Sequence, residues 1–218
     1  MTLTTPTDLH PLPARAPAPR PRAPRVLALC TFAALLVLAL DLGTKHWALS
    51  TLSDARRGAA PALCDDASGP RAPQRVPRAA VPIAGEIFSF EYTENCSAAF
   101  GLASQLPSSA RRVFLASMAV LAVVALFVLL ARGHGSAAFA WGVPLVAAGA
   151  LGNMIDRVRL GYVVDFLHVQ YRPWDFDYPV FNVADIAIGV GVSLLVIGAA
   201  SAPEPTRSPD AGARLDEP

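Results

Sequence analysis

Two carboxylates stand out among residues that could do chemistry. Asp165 follows Gly161-Tyr-Val-Val and precedes Phe166, and Asp185 follows Phe181-Asn-Val-Ala at the head of an apolar run. A carboxylate in apolar surroundings is expensive to ionise, and when two meet, one keeps a proton while the other stays charged. That division suits peptide hydrolysis: the charged member takes a proton from water and the protonated one polarises the scissile carbonyl. The connection of 19 residues between them is long enough to bring them together. On these two residues alone, a proton or ion relay is an equal reading, because carboxylates in apolar segments serve both ends.

Further polar residues could assist. Asp41 and Lys45 are one helical turn apart and are expected to form an ion pair that fixes a helix. Lys45 is the one lysine in the chain, hence the only candidate for a lysine nucleophile or base. Asp156 and Arg157 end an apolar stretch, where interfacial charge is as ordinary as a site is. Asn95, Asn153 and Asn182 carry amides that can hold a peptide backbone, and the last two could equally satisfy freed helix ends. The histidines at 10, 46, 134 and 168 are dispersed, and no His-Glu-x-x-His is present. No metal and no cofactor is therefore expected. A Gly-x-Ser-x-Gly elbow, a P-loop and a dinucleotide fingerprint are also missing.

The elements that must position these residues follow from composition. Of 218 residues, 53% are hydrophobic and 16% charged, with a mean hydropathy of +0.42, against about 25% charged in a soluble domain. A net charge of +1 offers no field for nucleic acid. Three cysteines cannot staple a fold of this size. A membrane helix needs ~20 mostly apolar residues, and four stretches supply them: 26–49, 113–130, 132–156 and 178–203. Pro144 should kink the third. The first has the basic front of a secretory signal, yet no small-x-small site follows and Asp41 and Lys45 continue its helical pattern. It is read as a retained span.

Residues 1–25 carry four arginines, one acid and seven prolines, which predicts a disordered cytoplasmic arm. Both termini then lie inside, with 201–218 as a cytoplasmic tail. The loop 50–112 and the segment 156–180 lie outside. Asp41, Lys45, Asn95, Asn153, Asp156, Arg157, Asp165, Asn182 and Asp185 then all fall at that outer face. Residues 54–82 read as an irregular Ala/Pro/Arg-rich insertion, and 86–93 as a short strand within a β region of about 83–105. Cys64 and Cys96 share this loop in a compartment where a disulfide can persist, although chance placement is the expectation. Cys30 is read as core packing, and the glycines of 149–152 and 189–191 as close helix contacts.

Four segments together resemble one known family. Asp41-Leu-Gly-Thr-Lys45 is similar to the first-helix Asp-x-x-x-Lys of bacterial lipoprotein signal peptidases. Asn95-Cys-Ser-Ala-Ala-Phe100-Gly resembles their Asn-x-Gly-Ala-Ala-Phe box, with Ser97 where glycine is usual. Gly152-Asn-Met-Ile-Asp-Arg157 with Gly161-Tyr-Val-Val-Asp165-Phe resembles the long box after the third helix, and Phe181-Asn-Val-Ala-Asp185 the final one. The four lie in order over residues 26–200.

The resemblance implies an all-α membrane protein: a four-helix aspartic endopeptidase with a small extracytoplasmic β-cradle, in the bacterial inner membrane and facing the periplasm. It would remove signal peptides from prolipoproteins, cutting before a diacylglyceryl-modified cysteine at the outer leaflet. Asp165 and Asp185 would be catalytic. Asn95, Asn153, Arg157 and Asn182 would bind substrate and the cyclic peptide globomycin. Asp41, Lys45 and Asp156 would support them. Membrane lipid is an implied partner, nucleic acid is not, and a monomer is expected. The rivals are a small proton-coupled transporter with Asp185 as relay, and a metal-dependent lipid headgroup transferase using Asp156, Asp165 and Asp185.

Overall fold

The computed structural model describes residues 21–59, 73–96 and 108–200. Among these, four helices are long and apolar enough to cross a bilayer: α1 (Pro24–Thr51), α2 (Ser108–Ala131), α3 (Ala137–Arg159) and α4 (Val183–Ala200). Helices satisfy their backbone internally, which is why this composition folds as helices in lipid. Their outward faces are apolar: Phe32, Leu36, Leu121, Val124, Val196 and Ile197 are all more than half exposed, as side chains that meet lipid rather than water would be. α3 is the central helix, with the largest buried share. Pro24 opens α1 with its preset φ, and Ser136 caps α3 by accepting the Phe139 N–H. Pro144 lies inside α3 and is itself buried.

Arg22, placed by sequence in the N-terminal arm, donates to the carbonyls of Gly135 at 2.8 Å and Ser136 at 3.0 Å in the α2–α3 turn. Residues 1–20 of the arm and the C-terminal tail lie outside the described residues.

Strands gather at the other end of the bundle. β1 (Ser53–Ala55) and β2 (Arg75–Pro77) form a two-stranded antiparallel ribbon. β3 (Val81–Ala84), β4 (Phe88–Asn95), β5 (Val163–Tyr171) and β6 (Phe176–Phe181) form an antiparallel sheet in that order. Tyr92, Tyr162, Val164, Phe166 and Leu167, in and beside this sheet, form one core cluster with Ala48 and Leu52 of the α1 end. The opposite end of the bundle closes on Cys30, Leu130, Ala140 and Val143.

Three boundaries differ from the sequence expectation. The fourth span starts at Val183, because 176–181 pairs with β5 as a strand. Aromatic and β-branched residues suit a strand as well as a bilayer, so hydropathy alone extends the span too far. The strand expected at 86–93 lies at 88–95, displaced by a turn at Gly85 with φ 57°. The insertion expected to be irregular begins in β1, carries β2 and runs into β3, and the pairing of β1 with β2 brings Asp54 opposite Val76. Residues 60–72 of it, with Cys64, lie outside the described set, as do Ser97 and Phe100. The close helix contact expected of Gly189 is not found, since a side chain there would meet nothing within 4 Å. Gly191 does make one: a β carbon at that position would lie 2.9 Å from the Gly142 carbonyl oxygen.

Candidate active site

The chain turns from α3 into β5 at Gly161, whose φ of 84° is a left-handed conformation that other residues adopt at a cost. Four residues later Asp165 points from β5 into the junction of sheet and bundle, 1% exposed. β6 then runs back along β5 and delivers the chain to α4. Asn182 caps that helix: its Oδ1 accepts the Asp185 N–H at 3.0 Å, while Asp185 Oδ2 accepts the Asn182 N–H at 3.2 Å. This reciprocal pair is a capping box, and it fixes Asp185 in the first turn, where backbone dipoles favour negative charge.

Asn182 also joins the two carboxylates. Its Nδ2 donates to Asp165 Oδ1 at 2.6 Å and, more weakly, to Asn153 Oδ1 at 3.2 Å. Asp165 Oδ2 accepts Asn95 Nδ2 at 2.9 Å from the end of β4. The register explains that bond: Thr93 opposes Asp165 and Asn95 opposes Val163, so Asn95 is diagonal to Asp165 across the strand pair. Burial and the neighbouring Asp185 charge push the Asp165 carboxyl up to about 7, even though both asparagine bonds pull it down.

Behind the pair lies an ionic cluster. The Lys45 ammonium sits 2.9 Å from Asp41, 3.1 Å from Asp156 and 2.8 Å from Asn153 Oδ1. Lysine only donates, so Asn153 must turn its oxygen to Lys45 and its amide to Asp185 Oδ1, which it reaches at 2.9 Å. Asp41 Oδ1 accepts the Ala184 N–H at 2.8 Å, and Asp156 Oδ2 the Val164 N–H at 3.1 Å. The two acids thus hold the backbone beside each aspartate of the pair. Gly152 leaves room for this: a side chain there would overlap Asp41 Oδ2.

Asp41, Lys45, Asn95, Asn153, Asp156, Asp165, Asn182 and Asp185, all singled out by sequence, therefore belong to one hydrogen-bonded network. Arg157 stands at its edge, half-buried one turn beyond Asn153, with its Nη1 3.4 Å from the Asn153 carbonyl. A cleft of about 690 Å³ opens over the sheet, lined by Pro73, Pro77, Thr93, Asn95, Asp165 and Pro179 among others. Beneath it Tyr92 bonds Tyr162 at 3.2 Å and Glu94 at 3.1 Å. Burial raises both phenols above their ordinary range. Sequence reasoning passed over these three, although alternation along Phe88–Asn95 puts Tyr92 and Glu94 on one face. It favoured chance placement for Cys96 and left a bridge open. Cys96 is disulfide-bonded, and Cys30 is a buried free thiol whose Sγ donates to the Ala140 carbonyl at 3.4 Å.

Four membrane-crossing helices and paired carboxylates under a β-sheet cleft define a polytopic membrane hydrolase of the aspartic type. The profile of one family, signal peptidase (SPase) II, matches residues 33–200. The chain belongs to the signal peptidase II family, aspartic peptidases of the inner membrane. It is 30% identical over 164 residues to the lipoprotein signal peptidase of Clostridium tetani, covering 75% of this chain and 86% of that one. Identity is 37% over 117 residues with that of Halothermothrix orenii (54% and 73% covered) and 40% over 117 residues with that of Geobacter sulfurreducens (54% and 71%). A solved bacterial membrane enzyme shares the fold with a TM-score of 0.59 at 22% identity, covering 83% of this chain and 94% of that one. A proton relay across the membrane is not favoured, since the polar cluster lies at one end of the bundle and the other end is packed with apolar side chains.

Proposed function

We propose that this chain removes signal peptides from prolipoproteins with Asp165 and Asp185 as the catalytic pair, cutting before a diacylglyceryl-modified cysteine. The observation that carries the assignment is the shared asparagine: Asn182 bonds both carboxylates, and Asp165 lines the floor of the cleft. Asp165, pushed up to about 7, holds the proton and donates it to the scissile carbonyl oxygen. Asp185, at the helix N-terminus, takes a proton from the attacking water, whose oxygen bonds the carbonyl carbon. The resulting diol collapses as Asp185 returns that proton to the leaving nitrogen, the C–N bond breaks, and Asp165 takes back a proton from a diol hydroxyl as the new carboxyl forms.

The burial of Asn153 and Asn182 supports a role in holding the aspartates, while the position of Asn95 on the cleft supports contact with the substrate backbone. Arg157 is assigned to a carbonyl or lipid oxygen, which its planar fork suits. The arginine-rich N-terminal arm supports cytoplasmic termini and a site facing the periplasm. Lipid then reaches the site from the outer leaflet, with globomycin competing for it, and the chain acts as a monomer.

Asp165→Asn and Asp185→Asn should each abolish cleavage of a purified diacylated precursor, with thermal unfolding in detergent still cooperative. Chelator should leave the wild type active and globomycin should stop it. Full turnover by either variant would overturn the assignment.

A further inference from the structure

The end of β4 is tied down on both sides of Asn95 by residues that the chemistry above does not use. Glu94 Oε2 accepts the Gln74 N–H at 2.6 Å, and its Oε1 accepts the Arg75 N–H at 2.9 Å. One carboxylate thus captures two successive amides of the returning insertion, a charge-assisted fork. Arg75 is anchored in turn, donating to Ser53 Oγ at 2.7 Å and to the Leu49 carbonyl at 3.1 Å near the end of α1. Arg56 holds the Pro73 carbonyl at 2.7 Å. On the other side, Cys96 is disulfide-bonded. Cys30 is a free thiol at the far end of the bundle.

Asn95 is the last residue of its strand, where pairing is weakest and an amide readily exchanges its partner for water. Its bond to Asp165 needs the strand end held in register. Pro73 and Pro77, from the segment that Glu94 and Arg56 secure, also line the substrate cleft. Strand end and cleft wall are therefore one fastened unit.

We propose that Glu94 and the Cys96 disulfide are positioning residues: Glu94 clamps the end of β4 to residues 73–77 and the disulfide fixes the chain just past Asn95, keeping the Asn95 amide on Asp165 and making 73–77 a wall of the substrate cleft. This rests on the assignment of Asp165 and Asp185 as the catalytic pair.

The test uses the full chain in detergent and a diacylated precursor, with Cys96→Ser and Glu94→Gln. Each should lower kcat about three- to tenfold, the equivalent of one hydrogen bond at the pair. Because the Asn95 bond helps hold the Asp165 carboxyl down, the alkaline limb of the kcat profile should also move to higher pH. Dithiothreitol, which leaves two protein thiols and becomes the cyclic disulfide, should do the same to wild type. It should have no further effect on Cys96→Ser. Wild-type kcat with an unmoved limb in both variants would overturn the clamp. So would a lower kcat with the limb in place, which is what general destabilisation gives. Reduction of the folded wild type keeps the test decisive if a variant fails to fold. Cleavage by Asp165→Asn would remove the pair and the clamp with it, whereas an inert Asp165→Asn beside normal clamp variants removes the clamp alone.

Discussion

Replacing Lys45 by methionine keeps most of the side-chain volume and takes one positive charge out of a site that water does not reach. Lys45 is 2% exposed and Asp41 0%, so neither Asp41 nor Asp156 can exchange the lost ammonium for solvent. Breaking a buried ion pair by removing one partner costs about 3–5 kcal/mol. The unfolding midpoint of Lys45→Met in detergent should fall accordingly. A second consequence reaches the chemistry. With no ammonium 2.8 Å from its oxygen, Asn153 keeps only the weaker 3.2 Å bond from Asn182 Nδ2 to set which way its amide faces, and a flipped amide presents oxygen to Asp185. Hydrogen bonds to charged groups are worth about 1.5–3 kcal/mol, so kcat should drop roughly 10- to 150-fold. The two effects separate in the double variant Lys45→Met/Asp156→Asn. Removing the stranded acid should restore part of the stability and none of the turnover, because the Asn153 contact is still missing. Lys45→Met that unfolds at the wild-type midpoint and cleaves at the wild-type rate would refute the reasoning.

Other outcomes follow from the same contacts. Asp165 must hold a proton to polarise the carbonyl, and its carboxyl lies at about 7. As long as Asp185 stays charged, turnover should therefore be full below that pH and fall as pH rises through it, as a pH–rate profile on the diacylated precursor will show. Gly152→Ala forces a methyl into Asp41 Oδ2; overpacking of this kind costs about 1–3 kcal/mol, readable as a lower unfolding midpoint together with reduced cleavage. Tyr92→Phe removes the hydroxyl that Tyr162 and Glu94 share in a buried site. It should lose about 1–3 kcal/mol in denaturant unfolding, with a smaller effect on kcat than Asn95→Ala.

The spans and the membership of the polar cluster were legible in the sequence, since charges inside apolar runs are few and each one stands out against its neighbours. Asp41, Lys45, Asp156, Asp165 and Asp185 all belong to the network. Their partners were not legible. Lys45 meets Asn153 across 108 positions and Asp41 meets Ala184 across 143, and no local pattern encodes contacts of that range. β5 and β6 were hidden for a different reason. Val163–Leu167 is buried almost continuously, so it lacks the alternation that marks a half-exposed strand. The Cys96 disulfide was left open because spacing alone does not separate a bridge from two cysteines that share a loop.

Strands had to interrupt the bundle for this site to exist. Helices packed in lipid can bring Asp185, Asn153 and Lys45 to one level, but each presents its side chain from a fixed axis. The hairpin between α3 and α4 supplies the second carboxylate from a strand, whose neighbour β4 then adds Asn95 from a position 70 residues away. One aspartate therefore rides on the sheet and the other on the helix cap, and Asn182 is the residue that joins the two frames. Any substrate that adds or removes a contact on β4 or β6 acts on the separation of the pair through that single amide. Asn182→Ala should accordingly cost more turnover than loss of either Asn95 or Asn153 alone, because it releases Asp165 and the Asp185 cap together. Equal losses in all three variants would mean that the sheet and the helix hold their aspartates independently.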